Sequence, residues 1–400
     1  MYDVIISGAG PAGSMTAYTC AKAGLDVLLL DKAKFPREIP CGGGISARSV
    51  KMLRFAGIEL PKNQIEQELS ALQFMGPDQK PFVFRSSKPL GYTILRNQFD
   101  HYLVKQAVDV GAHFVDSCAL DQLETPKDRI IVTTEKGVFE SHLLIGADGV
   151  TSTIGHLSGL RKPLNPDRVG VALEVDVPIS PTLWNTVLDP SVVCFWFLNI
   201  PFGYFWVFPR KNSLSLGVGG MAKRLDNVPK LIRGLARTFT TRHGLPPFSI
   251  PKIRGRMLLA LEQPILETTN RILLVGDAAG LIDIFTGQGI CYALESGYLA
   301  AKTVINAVNN RRFTKQMLSE YTWQARRRFG EEIKVSWTVT NLVHRHLHGF
   351  FQVARRLKCI RQVLFDIIIG KTDYYRIHRN LLAFAKQLLT YELQNRLPCQ

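Results

Sequence analysis

DVIISGAGPAG (residues 3–13) sets a short apolar run directly before Gly8, Gly10 and Gly13. Glycines spaced G-x-G-x-x-G between a strand and a helix have separate physical roles. The first permits the tight turn, the second lets the backbone approach a pyrophosphate, and the third allows helix to pack closely on strand. The helix N-terminus adds a positive dipole end for phosphates. Helical spacing follows over residues 14–23, Gly24 ends it, and DVLLLDK (26–32) reads as a second buried strand. This is a βαβ unit, and continuous apolar strands suit a parallel sheet covered on both faces. Asp31 closes the second strand 18 residues after Gly13, where it can accept a hydrogen bond from a ribose 2′-hydroxyl. The stretch predicts a dinucleotide-binding domain. Alone, it does not separate FAD from NAD.

The chain has 400 residues, 46% hydrophobic and 20% charged, which is ordinary globular composition with length for two to three domains. The formal net charge is +16, and residues 311–400 carry 17 Lys or Arg against 6 Asp or Glu, hence +11 of it. Such a basic region suits an anionic surface or ligand. Seven scattered cysteines (20, 41, 118, 194, 291, 359, 399) form no C-x-x-C pair. That argues against a disulfide framework or a cysteine zinc site and predicts a reducing, cytoplasmic setting. The start lacks the basic n-region of a signal peptide, and no stretch has the length and apolarity of a transmembrane helix.

Further along, residues 71–95 alternate around GPDQKP (76–81), which reads as a hairpin outside the first sheet. Helical spacing returns at 98–110, and three strand-like runs follow to residue 149. Residues 168–220, rich in Val, Phe, Trp and Gly, read as an antiparallel sheet. A buried strand (271–276), a helix from about 289 to 309 and a basic helical region from 314 complete the pass. The expected fold class is α/β plus antiparallel β: a Rossmann-type domain with an inserted antiparallel-sheet substrate domain and a C-terminal helical region. The expected boundaries are 1–70, 92–165 and 265–310 for the cofactor domain, 71–91 and 166–264 for the substrate domain, and 311–400 for the helical region.

LLIGADGVTS (143–152) and ILLVGDAAGLIDIFTGQGI (272–290) are two further strand-to-glycine junctions. An acid such as Asp277 after a strand can hold a polyol, and a helix starting after Gly289 can stabilise negative charge on a flavin ring. With GAGPAG early, GADG (146–149) and GDAAG (276–280) later, the chain resembles the para-hydroxybenzoate hydroxylase-like flavoproteins. Within them, PCGGG (40–44) and GYFWVFP (203–209) resemble the geranylgeranyl reductases and their Y-x-W-x-F-P run. The resemblance spans roughly residues 1 to 310. It implies FAD as cofactor. Gly8, Gly10, Ala12, Gly13, Asp31 and Lys32 would hold its ADP half, and Arg96 would lie near the phosphates or ribityl chain. Asp148 and Gly149 would sit beside the adenosine half, and Asp277 would bind the ribityl and pyrophosphate part. Gly287, Gln288, Gly289 and Ile290 would flank the flavin ring, with Cys41, Gly42 and Gly43 in a loop against it. Departures from the family pattern are Ile284, Gln288 and Gly155, where a proline, an acid and an arginine are usual.

Alkene reduction by reduced flavin needs an apolar channel, a substrate held over the ring and a proton source. VVCFWFLNIPFGYFWVFP (192–209) supplies aromatic walls, though such alternation is also ordinary core packing. The resemblance implies that Tyr204, Trp206 and Phe208 contact substrate, with Cys41, Tyr204 and Trp206 as catalytic candidates. For Cys41 the residue pattern leaves three readings: a metal ligand, for which no partner Cys or His stands at suitable spacing, a reactive thiol, or a small residue in a tight loop. Arg37 is the only neighbouring cation in the sequence. HRHLH (344–348) lacks a third metal ligand, so no metal site is expected. The basic C-terminal helices read as a solvated face over the cofactor domain, an anionic-membrane surface or a phosphate-recognition element, without a nucleic-acid motif.

The function expected from the resemblance is reduction of C=C bonds in an isoprenoid chain of a prenyl diphosphate, lipid or quinone. NAD(P)H or a reduced ferredoxin-type protein would donate electrons, with peripheral attachment at the inner membrane face. Two alternatives stand beside it: a monooxygenase or halogenase on the same fold, with Lys80 the nearest candidate lysine, and a non-catalytic flavin- or lipid-binding protein.

Overall fold

The computed structural model describes residues 1–400 except 181, 184–187, 226, 247–251, 358–360, 363–364 and 367–400. β1 (Tyr2–Ser7), α1 (Pro11–Lys22) and β2 (Val27–Leu30) form the expected βαβ unit, with Val4 opposite Val27 in a parallel ladder. The helix starts at Pro11, earlier than the spacing suggests, because proline at the first helical position needs no N–H partner. Strand His113–Val115 joins β2 at the edge, and the long strand Gly137–Gly146 joins β1 on the other side. That long strand has two neighbours on its far side. Its first half pairs antiparallel with Ile130–Thr134, and its end pairs parallel with Ile272–Leu274. Helix Ile290–Asn309 packs on α1 so closely that a Cβ on Gly297 would lie 2.3 Å from the Ala12 carbonyl oxygen.

A second seven-stranded sheet is antiparallel except at one junction. The hairpin Ala71–Met75 and Pro81–Arg85, turned by GPDQKP, enters it by parallel pairing with Val192–Phe197. Residues Gly91–Thr93 leave the hairpin and form a small sheet with Gly44–Ser46 and Gln67–Leu69. One face of the large sheet (Val175, Val177, Phe205, Val207, Leu216, Val218) packs on helix Val228–Arg242 through Ile232, Ala236 and Phe239. The opposite face lines the main cavity at its centre. Toward the Phe74–Phe82 end it is roofed by helices Glu331–Arg345 and Leu347–Arg356.

The C-terminal helices therefore divide their labour. Helix Lys315–Ala325 packs on the cofactor-side core through Leu318 and Tyr321. The next two cover the aromatic sheet through Val335, Val339, Val343, Phe350 and Phe351. A solvated face over the cofactor domain alone does not describe them, since their apolar sides are buried on the large antiparallel sheet. Most of residues 358–400 lies outside the described residues, Cys359 and Cys399 included.

Candidate active site

A cavity of about 610 Å³ runs between the start of α1, the start of helix Ile290–Asn309 and the open face of the large sheet. Both helices begin at glycines, Gly10 and Gly289, without a side-chain cap, and both starts line the cavity. Gly8 and Gly13 hold the turn closed: a Cβ on Gly8 would lie 2.2 Å from the Ala147 carbonyl oxygen, and one on Gly13 only 1.8 Å from that of Gly8. Ala12, Asp31, Lys32, Asp148, Gly149, Gln288 and Ile290 line the same cavity.

Asp31 is 7% exposed and already accepts two backbone hydrogen bonds, from Ala9 N–H (2.8 Å) and Ala33 N–H (2.9 Å). Arg37 bridges it to Asp100, and Arg96 completes the chain with a two-pronged bond to Asp100 at 2.9 Å. Burial opposes the charge of Arg96, but Asp100 and the Cys41 thiol together outweigh it and hold the guanidinium above its ordinary pKa. Asp148 accepts from the Ser152 hydroxyl and the Ile154 N–H, so it caps the short helix Thr153–Leu157 while lining the cavity. Burial raises its pKa. Gly155 leaves space for Arg161, whose guanidinium donates to the carbonyls of Val150 and Ala278. Asp277 is bridged across the cavity by Arg256 of the large sheet, a partner that sequence reading missed.

At the other end, Gly287 (φ +69°) touches the large sheet: a Cβ there would lie 2.1 Å from the Tyr204 hydroxyl. The loop before it is fastened to a C-terminal helix. Asp283 accepts from the Phe285 N–H and the Ser336 hydroxyl, and the Ser336 oxygen accepts from the same N–H at 3.2 Å.

The glycine triplet lines the cavity and is also packed against protein. A Cβ on Gly42 or Gly44 would meet the Phe208 ring at 2.7 or 2.6 Å, and one on Gly43 (φ +78°) the Ile94 carbonyl oxygen at 2.2 Å. The loop is thus pressed by the large sheet as well as lining the cavity, a constraint invisible until residues 42 and 208 meet in space. Cys41 acts within this loop. Its sulfur accepts from the Gly43 N–H at 3.4 Å, and its carbonyl accepts from Arg210 at 3.1 Å. Arg96 and Arg210 are cationic neighbours that sequence proximity did not offer.

Across the sheet face, Phe195, Tyr204, Trp206 and Phe208 form the aromatic wall. Tyr204 and Trp206 sit 5.8 Å apart, and Phe195 meets Phe208 edge-on at 5.7 Å. Trp206 lies flat over Gly217, where a Cβ would be 1.9 Å from the ring. The Trp206 Nε1 is a buried donor without a hydrogen-bond partner among the described residues. Burial, with Cys41 and Asp283 nearby, pushes the Tyr204 phenol well above its ordinary pKa. Beside this wall sits an ionic cluster that sequence reading passed over: Glu174 and Asp176 on strand Val169–Pro178, with Arg210 and Arg254. The available signal was two acids two residues apart inside VGVALEVDVP.

HRHLH does not share one helical face. The helix ends at Arg345 and a new one starts at Leu347, so His344 and His348 lie on different segments. His344 packs on Phe197 and Phe202, and burial lowers its pKa to about 4. Among the described residues, no group of three or more His, Cys, Asp or Glu is placed to hold a metal ion, and no helix is long and apolar enough to cross a membrane. Lys80 sits in the exposed hairpin turn and is absent from the cavity lining.

Two uncapped helix starts, close-packed glycines and acids at either end of one cavity fit an extended dinucleotide, and the unpartnered indole N–H fits a polar ligand at the sheet. The fold and site are those of a flavoprotein. The FAD binding domain family matches residues 1–334. An uncharacterized protein of Methanosarcina barkeri is 30% identical over 318 residues, covering 79% of this chain and 78% of its own. The digeranylgeranylglycerophospholipid reductase of Thermoplasma volcanium is 30% identical over 352 residues, with 84% and 86% covered. The crystal structure of a geranylgeranyl bacteriochlorophyll reductase-like protein from Thermoplasma acidophilum aligns with a TM-score of 0.77 at 26% identity, over 86% of this chain and 87% of that one. The chain belongs to the FAD-binding domain family and, within it, to the FAD-dependent oxidoreductases of the geranylgeranyl reductase type.

Proposed function

We propose that this enzyme saturates C=C bonds of an isoprenoid chain carried by a lipid, a prenyl diphosphate or a quinone. The observation that carries this reading is a single cavity with a dinucleotide cradle at one end and the wall Phe195–Tyr204–Trp206–Phe208 at the other. Relatives named as reductases of a digeranylgeranyl lipid support it. When bound, FAD supplies hydride transfer; the protein supplies position, dryness and a proton. The helix starts at Gly10 and Gly289 would face the phosphates and the ring, Asp31 the ribose, and Asp277, with Arg256 moving aside, the polyol. Tyr204, Trp206 and Phe208 would hold the chain over the ring and exclude water.

In this reading residues 71–91 and 166–264 form the substrate unit, and 1–70, 92–165 and 265–310 the cofactor unit. NAD(P)H or a small redox protein delivers electrons transiently, and basic residues after 311 hold the enzyme against an anionic membrane. A halogenase reading would need a lysine beside the aromatic wall, and Lys80 lies away from it. The deciding experiment is anaerobic reoxidation of dithionite-reduced holoenzyme by geranylgeranyl lipids, with products weighed by mass spectrometry. A gain of two hydrogens per reduced bond is expected. Turnover only with oxygen and an aromatic acceptor would refute the reading.

A further inference from the structure

Alkene reduction needs a proton for the second carbon, and neither Cys41 nor Tyr204 suits that role well. The Cys41 sulfur is held by the Gly43 N–H and Arg96. The Tyr204 phenol is made a weaker acid by burial. Resting on the function proposed above, we propose that Glu174 is the proton donor. Its carboxyl O–H breaks as a C–H bond forms on one alkene carbon, while hydride from reduced FAD reaches the other. The two electrons come from that hydride, and Glu174 is left as a carboxylate.

Four observations place the acid there. Glu174 lines the cavity and is only 1% exposed. It shares a cross-strand row with the aromatic wall, since Glu174 pairs with Gly217 and Gly217 with Trp206. Gly217 has no side chain, and the Trp206 ring lies over it, so Glu174 and Trp206 line the cavity from the same row. One carboxyl oxygen, Oε1, takes Arg210 at 3.2 Å and Arg254 at 3.6 Å. The other, Oε2, is buried without a hydrogen-bond partner among the described residues, and the Ser215 hydroxyl lies near the carboxyl.

The charges around this carboxyl come from every neighbouring element. Asp176 lies two residues along its own strand, Arg254 on the adjoining strand, and Arg210 at the turn after Pro209. Glu38 of the glycine-loop approach balances Arg254 from outside. Burial and Asp176 raise the Glu174 pKa, Arg210 and Arg254 lower it, and the balance falls at about 7. A group balanced there gives up and regains a proton readily near neutrality. After donation, the two arginines hold the carboxylate. Asp176, whose side chain is 31% exposed, connects the pair to water for reprotonation.

The test uses FAD-loaded Glu174→Gln, with Glu174→Asp as the conservative variant. Infrared titration of the oxidised holoenzyme should show a protonated-carboxyl band that fades across neutral pH and is missing in Glu174→Gln. Anaerobic reoxidation of the reduced flavin by a geranylgeranyl lipid should fall roughly 10²–10⁴-fold in Glu174→Gln with FAD content unchanged, and recover partly in Glu174→Asp. A Glu174→Gln enzyme with wild-type rate and pH profile, or one that keeps the titrating band, overturns the assignment. If the wild type itself shows the band but never reoxidises with isoprenoid lipid, the reductase reading has failed and the donor role falls with it.

Discussion

Gly217→Ala isolates the contact that shapes the aromatic wall. The new Cβ would lie 1.9 Å from Trp206 Cζ2 and 2.1 Å from Cε2, inside any tolerable contact. Gly217 sits mid-strand, paired with both Glu174 and Trp206, and is not among the glycines of positive φ, so backbone strain adds nothing. Overpacking of this kind costs ~1–3 kcal/mol. Losing glycine's freedom in the unfolded chain returns ~0.4–1 kcal/mol, leaving a net loss of up to about 2.5 kcal/mol. Removing the ring should reverse the sign. In a Trp206→Ala background the added methyl enters empty space, and Gly217→Ala should stabilise by ~0.4–1 kcal/mol. Denaturant midpoints of the four FAD-loaded proteins measure the cycle, whose coupling should reach ~1–3 kcal/mol. Equal costs in both backgrounds would refute the contact and the wall built on it.

Other outcomes follow from the same geometry. Cys41→Ala should retain bound FAD, read from flavin absorbance, because the loop is held mainly by Phe208, Ile94 and Arg210. Asp31→Ala orphans the Ala9 N–H and should cost ~1–3 kcal/mol of stability along with weaker FAD binding, measured by flavin fluorescence titration. His344 is kept neutral by burial with a pKa of about 4, against an ordinary value near 6.5. Its contribution is therefore intact above about pH 6.5 and lost as pH falls toward 4. His344→Leu should remove up to about 2 kcal/mol of acid destabilisation near pH 5, visible as a flatter thermal-midpoint profile. Flotation with anionic vesicles should carry the full-length protein at low salt and release it at high salt. No flotation at low salt would refute membrane attachment.

The cofactor half was legible because its rules are local. GAGPAG, Asp31, GADG and GDAAG each specify a turn between neighbouring elements, and a few consecutive residues carry each signal. The aromatic wall was half legible: the residues were visible in 192–209, but their facing came from the register that lays Trp206 over Gly217. What escaped depends on chain segments far apart. The triplet 42–44 answers to Phe208, Asp277 to Arg256, and Glu174 to Arg210 and Arg254. Charged pairs of this kind leave no periodicity, and a lone acid in an apolar strand gives no hint of its partner. The break at His346 was equally hidden, since both flanking segments keep helical spacing.

The bond between Ser336 and Asp283 bears on how such an enzyme can diversify. One C-terminal segment supplies the hydroxyl that fastens the loop before Gly287, and the same segment roofs the far end of the large sheet. Under the function proposed above, a tail exchanged with that of a relative would change both the sheet's roof and the loop before Gly287 in a single event. A chimera that alters chain-length selectivity should then carry a measurable change in the flavin spectrum as well.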